Sequence, residues 1–294
     1  MFDKFSQTEI KRFTALLGAV IIVLSVWLPQ VSAQKFFEPD CVCLKVSFLD
    51  VGQGDSILIQ SPDGHKALVD GGANATAALR GLGQELSFFD RTIDLVVSTH
   101  PDADHIGGLS SVLKRYKVLS VLETTNGKDT PATEAFATAI KETNVPVSYA
   151  DVGQVIKLGD EVTLRVLSPA GDETDWESNM ASIVIRVEYG STSVMLTGDA
   201  PIEIEDYLVD TYPQYLKSNI LKLGHHGSKT SSSEKWLDAV HPEYAVVSAG
   251  IGNKYGHPHQ SVMQAVFARN IQSSHTGTDG TVTFYSDGHT VWRK

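Results

Sequence analysis

The segment His100-Pro101-Asp102-Ala103-Asp104-His105 follows the β-branched run Leu95 to Thr99 and precedes Gly107-Gly108 and a helical pattern. Two imidazoles and two carboxylates fall within six residues, more than an ordinary loop carries. A strand that stops just before them delivers their side chains into a cleft at a sheet edge, where a metal ion finds nitrogen and oxygen donors together. Working outward, three more segments follow predicted strands in the same way. Leu196-Thr197-Gly198-Asp199 puts a carboxylate after the strand Ser193 to Thr197, and Leu223-Gly224-His225-His226-Gly227-Ser228 puts two imidazoles after Ile220 to Leu223. Tyr255-Gly256-His257-Pro258-His259 falls in the loop beyond Tyr244 to Ser248. Strand ends on one side of a sheet converge, so residues distant in sequence can share an ion.

Val-, Ile- and Leu-rich runs predict further strands at Val42 to Asp50, Ser56 to Gln60, Lys66 to Asp70, Val118 to Glu123, Val162 to Ser168, Ile183 to Tyr189 and Thr281 to Tyr285. Helical spacing predicts helices at Ala75 to Gln84, Gly107 to Tyr116, Thr133 to Thr143, Glu203 to Thr211, Glu234 to Val240 and Ser261 to Asn270. The segments 61–64, 189–191 and 286–288 read as hairpin turns, each with a glycine. Antiparallel pairs at both ends of the chain, with helices elsewhere, give an α/β fold of two packed sheets covered by helices. No linker interrupts it, so one domain is expected over residues 41–294.

The 294-residue chain is 42% hydrophobic, enough for a substantial core. Its formal net charge of −11 opposes long-range attraction to a polyanion. A nucleic-acid substrate must therefore be held by a local basic patch or by the metals themselves. Residues 1–33 stand apart: Lys4, Lys11 and Arg12 precede an apolar run from Phe13 to Leu28, followed by Val31-Ser32-Ala33. That order describes a secretory signal peptide cleaved after Ala33. The alternative is an uncleaved membrane anchor, which needs about 20 apolar residues. Either way the remainder is expected outside the cytoplasm: secreted, periplasmic or tethered to the inner membrane. Cys41 and Cys43 are expected to be small core or edge residues, since cysteines two apart on an extended strand make a strained bridge.

The order of these blocks, with Phe48-Leu49-Asp50-Val51-Gly52-Gln53-Gly54-Asp55-Ser56 ahead of them and Leu68-Val69-Asp70-Gly71-Gly72 between, resembles the metallo-β-lactamase superfamily. More narrowly it is similar to the C-terminal metallohydrolase domain of the ComEC-type competence proteins, which take up DNA. The resemblance covers about residues 42–290 and implies an αββα sandwich of two mixed sheets with two divalent metal ions, zinc or manganese. It implies that His100 and Asp102 hold one ion while Asp104, His105 and His225 hold the other, with Asp199 bridging. His226 is the alternative to His225. The superfamily's usual pattern has histidines at the positions of Asp102 and, near it in role, Asn179. Oxygen in place of imidazole nitrogen weakens the preference for zinc and makes manganese plausible.

The chemistry implied is hydrolysis of a phosphodiester, DNA or a cell-envelope polymer, by a water that the two cations activate. Asp104 and Asp199 are expected at the catalytic centre, and His257 or His259 to bind phosphate or protonate the leaving oxygen. Ser228, Lys229, Asn179 and Gln53 are the substrate-binding candidates. Asp70 is expected to support the ligand loop by hydrogen bonding rather than to touch metal. Two other functions remain open: hydrolysis of a lactam, thioester or lactone, and a secreted binding module that kept the fold without catalysis.

Overall fold

A computed structural model describes residues 41–294. The expected signal segment lies outside the described residues. The strands are β1 (Leu44–Phe48), β2 (Ile57–Gln60), β3 (Lys66–Val69), β4 (Thr92–Ser98), β5 (Lys117–Glu123), β6 (Val147–Tyr149), β7 (Val155–Leu158) and β8 (Val162–Ser168), then β9 (Val184–Tyr189), β10 (Thr192–Leu196), β11 (Ile220–Lys222), β12 (Tyr244–Val247), β13 (Gln272–His275), β14 (Val282–Ser286) and β15 (Val291–Arg293). They form two sheets, β15-β14-β1-β2-β3-β4-β5-β6 and β13-β12-β11-β10-β9-β8-β7. Each sheet is antiparallel on one side and parallel on the other: β3 to β6 run parallel in the first, β10 to β13 in the second.

Three apolar layers fix the stacking. Phe48, Val97, Ile185 and Val246 belong to the core between the sheets, where Phe48 meets Phe284 edge-to-face at 6.2 Å. Helices Ala75–Glu85, Leu109–Arg115 and Pro131–Thr143 close over the outer face of the first sheet through Leu82, Leu109, Val112 and Phe136. Helices Ile202–Thr211, Glu234–Val240 and Gln260–Ala268 cover the second through Leu208, Trp236 and Val266. The expected αββα architecture is therefore observed.

The four strands that sequence patterning did not place, β6, β7, β13 and β15, are the four edge strands. Each has three or four residues and is largely uncovered, so no apolar alternation marks it. The single helix expected from Gly107 to Tyr116 is two, Ala103–Ile106 and Leu109–Arg115. The break is a close approach: a Cβ on Gly107 would stand 2.3 Å from the Ala73 carbonyl oxygen, and one on Gly108 2.1 Å from that of Gly71. The helix Pro131–Thr143 starts two residues earlier than expected, because Pro131 occupies its first turn behind the Thr130 cap. Both cysteines are disulfide-bonded, contrary to expectation. They lie in irregular chain ahead of β1, so the spacing of an extended strand does not apply to them.

Two glycine substitutions separate these effects. Gly108→Ala forces a methyl group into backbone and should lower unfolding free energy by about 1–3 kcal/mol in urea titration. Gly83→Ala, on the exposed face of Ala75–Glu85 with open space around it, should raise it by about 0.5–1 kcal/mol.

Candidate metal centre

The parallel halves of both sheets end at one place. From the first sheet come Asp70, just past β3, and the loop Thr99–His105, just past β4; from the second come Asp199 past β10, His225 and His226 past β11, and Ser248 past β12. Asp70, at φ 60°, turns its carboxylate under the ligand loop. It accepts hydrogen bonds from the Thr99 amide at 2.9 Å, the Thr99 hydroxyl at 2.7 Å and His105 Nδ1 at 2.7 Å. The Thr99 hydroxyl, donating to Asp70, accepts from His100 Nδ1 at 3.0 Å. His226 Nδ1 donates to the Ser248 carbonyl at 2.8 Å, and His225 Nδ1 meets the Thr230 hydroxyl at 3.1 Å.

With every Nδ1 engaged, the Nε2 atoms are left to converge. Those of His100, His105 and His226 are buried and make no hydrogen bond. His105 Nε2 stands 3.3 Å from Asp199 Oδ1, while the Nε2 atoms of His226, His225 and His100 stand 3.4, 3.7 and 4.0 Å from Asp199 Oδ2. Asp104 Oδ2 adds a further oxygen 3.2 Å from His226 Nε2. Donors about 2.1 Å from a common ion stand roughly 3.4 Å from one another in tetrahedral geometry, which is the separation seen here. Buried imidazole nitrogens with no partner other than this space fit a divalent cation, with Asp199 placed to serve two.

His225 and His226 are consecutive, yet they reach Asp199 from different directions. Both occupy the left-handed region, with φ 47° and 56°, which sets their rings 6.0 Å apart and 73° out of plane. Such backbone costs about 1–3 kcal/mol per residue and persists where a function requires it. The structure places the buried His226, not His225, beside Asp104 and His105. The part-exposed His225 lies against Asp199, its Nε2 3.7 Å from Oδ2.

Beneath these groups sits Lys222, fully buried, which sequence reasoning missed. Its ammonium lies 2.6 Å from Asp55 Oδ2 and 3.3 Å from Asp199 Oδ1, and donates to the Gly198 carbonyl at 2.7 Å. A charged residue inside the apolar run Ile220-Leu221-Lys222-Leu223 was the available signal. Asp55, His105, Asp199 and His226 can bring one donor each within 4.8 Å of one another. Asp55, however, faces the Nδ1 side of His226, at 3.6 Å, and its other oxygen is taken by Lys222, so it supports the rings from behind.

Electrostatics follow from this packing. Burial alone would raise Asp199, but His226, His105 and Lys222 hold it well below the carboxylate range. Burial would lower His226, but Asp199, aided by Asp104 and Asp55, lifts it to about 9. His105 is likewise raised against burial by Asp199 and Asp70. His100, buried beside His105, is pushed down to about 4.

The remaining candidates divide. One oxygen of Asp102 is taken: its Oδ1 accepts from the Lys128 ammonium at 2.7 Å and the Ser178 hydroxyl at 2.6 Å. Ser228 braces its turn by accepting from Thr230 at 3.0 Å. Gln53 Oε1 accepts from the Gly250 amide at 3.3 Å, tying the loop after β1 to the loop after β12. Asn179 and Lys229 line an open cleft with His225, Thr230, Glu177 and Glu203. His257 has its ring 5.3 Å from His225, and burial with the neighbouring histidines pushes it to about 4. His259 Nδ1 accepts from the Lys229 amide at 3.0 Å.

A four-layer αββα sandwich with a His/Asp cluster at the seam of its parallel strand ends defines a metal-dependent hydrolase fold. Residues 49–251 match the metallo-β-lactamase superfamily, and the chain belongs to it. Within that superfamily it is similar to the ComEC-type competence proteins. It is 31% identical to ComE operon protein 3 of Bacillus subtilis, over 82% of this chain and 33% of that protein. It is 34% identical to the competence protein ComA of Neisseria gonorrhoeae, over 81% of this chain and 32% of that protein. The chain thus spans about a third of the length of these curated relatives. Among solved structures, the metallo-β-lactamase fold protein YhfI from Bacillus subtilis superposes with a TM-score of 0.51 at 14% identity, covering 79% of this chain and 95% of that one.

Metal must displace the proton that Asp199 and its neighbours keep on His226. Apparent affinity for zinc should therefore rise with pH through the neutral range, by about tenfold per unit for each proton displaced from His226 and His105. Calorimetry in buffers of different ionisation enthalpy should show proton release on binding; affinity independent of pH between 7 and 9 contradicts it.

Proposed function

We propose that this chain is an extracytoplasmic phosphodiesterase that works through divalent ions held by Asp104, His105, His226, His100, His225 and Asp199. The observation that carries the reading is the convergence of unpartnered Nε2 atoms on the Asp199 carboxylate, at the mouth of an open cleft that also holds Lys229 and Thr230. Divalent ions bound there supply Lewis acidity toward a phosphoryl oxygen and an activated water. The chain's own residues do the rest. Asp70, Thr99, Ser248 and Thr230 hold the imidazoles in the tautomer that leaves Nε2 facing inward. Lys222 fixes the orientation of Asp199 and balances part of the buried negative charge.

Outside the cluster, Lys229 offers positive charge to a phosphate entering beside His225. The similarity to competence proteins favours a phosphodiester, and nucleic acid in particular, over a lactam. So does the oxygen-bearing Asp102 and Asn179 pair, where lactam-cleaving members of the superfamily carry imidazole. Zinc and manganese both suit the mixed donor set.

Metal analysis of the mature protein, with bis(p-nitrophenyl) phosphate and a chromogenic β-lactam assayed in parallel under zinc or manganese, tests this reading. Turnover of the phosphodiester is expected, falling about 100-fold or more in Asp199→Ala with loss of bound metal. His226→Ala should lose more bound metal than His225→Ala. Turnover of the lactam alone, or less than one equivalent of metal, overturns the proposal.

A further inference from the structure

The loop between β12 and the helix Gln260–Ala268 carries a feature that neither the fold nor the metal cluster requires. Its tip is Ile251-Gly252-Asn253-Lys254-Tyr255-Gly256-His257. Asn253 ties it internally: its Nδ2 donates to the Gly250 carbonyl at 2.9 Å and the His257 carbonyl at 2.6 Å, and its Oδ1 accepts from the amides of Tyr255 at 3.2 Å and His257 at 3.0 Å. Gln53 anchors the loop's base from the other sheet. On this braced loop Tyr255 is 51% exposed. Its ring stacks on His257 at 5.6 Å and 22°, one imidazole away from His225. The exposed Lys254 places its ammonium 4.9 Å from the Tyr255 ring centre. Leaving so large an apolar surface in water brings the fold no stability, and the four hydrogen bonds of Asn253 keep it from collapsing onto the protein.

The cleft beside His225 mixes charges, Glu177 and Glu203 with Lys229. The loop 249–260 carries no carboxylate and presents Lys254, Tyr255, His257 and His259. A strand of phosphodiesters leaving the cluster along that loop meets no acidic side chain on it. There, the Lys254 ammonium can take a phosphate and the aromatic face of Tyr255 a base, the combination by which single-stranded nucleic acid is held.

Resting on the phosphodiesterase reading, we infer that Tyr255 is a stacking platform for an unpaired nucleobase next to the scissile phosphate, with Lys254 turning from the ring to the adjoining phosphate. Tyr255 thereby selects nucleotide-bearing diesters over those with a small alkyl group.

The test compares the p-nitrophenyl ester of thymidine 5′-phosphate with that of 2-deoxyribose 5-phosphate, two diesters that differ in the base, and with methyl p-nitrophenyl phosphate. The metal-loaded wild-type protein should prefer the nucleotide ester to its base-free counterpart by about tenfold in KM. That preference should fall to near one in Tyr255→Ala and be kept in Tyr255→Phe and Tyr255→Trp. An equal preference in wild type and Tyr255→Ala overturns the platform. Should no ester be hydrolysed, the phosphodiesterase reading fails, and the platform is then decided by binding alone. A single-stranded oligonucleotide containing 2-aminopurine, added to metal-free protein, is expected to be quenched by wild type and about tenfold more weakly bound by Tyr255→Ala; identical binding overturns it.

Discussion

Everything at the centre depends on hydrogen bonds made by the far side of each imidazole. A free histidine exchanges its proton between two nitrogens, and a cluster of them would present a mixture of donors and acceptors. Here Asp70, the Thr99 hydroxyl and the Ser248 carbonyl each claim an Nδ1, so the opposite nitrogens face Asp199, where an ion would replace the protons that the carboxylates keep on His105 and His226. Taking several carboxylates and a lysine out of water is costly unless each is paired. The pairs are present: Asp55 and Asp199 share Lys222, and Asp70 is fully occupied by Thr99 and His105.

Topology explains why these groups meet. Each sheet is parallel over half its width, and the parallel halves send their carboxyl ends to the same rim. Loops there are free to carry polar side chains, while the antiparallel halves are held by tight hairpins and contribute mainly core. Glycine permits the closest approaches: Gly108 lets the segment after the ligand loop seat on Gly71, which keeps His105 over Asp70. The position of an imidazole is thus set by backbone packing several residues away.

The ligand loop was legible in the sequence because its donors are contiguous and follow an apolar strand; the αββα class followed from runs that are buried on both faces. What escaped depended on partners remote in sequence or on backbone angles. Nothing in His225-His226 says which ring turns inward, because that is decided by two consecutive left-handed residues. The hydrogen bonds of Asp102 could not be read either, since its partners, Lys128 and Ser178, lie on other loops. Lys222 was hidden as one charge in an apolar run, and the four edge strands as segments too exposed to show a pattern. Asp70 was readable in its supporting role, since Asp-Gly-Gly after a strand favours a turned backbone rather than a reaching side chain.

The donor set is drawn from both sheets: Asp104, His105 and His100 from the first, Asp199, His225 and His226 from the second. An ion seated among them would fasten one leaf of the sandwich to the other, across a seam closed by apolar contact and by polar links such as Asp55 with Lys222 and Gln53 with Gly250. Chelation and cohesion are then one property of the molecule. Surroundings that strip such an ion away would then loosen the two leaves as well, so the cluster would serve as a rivet of the fold.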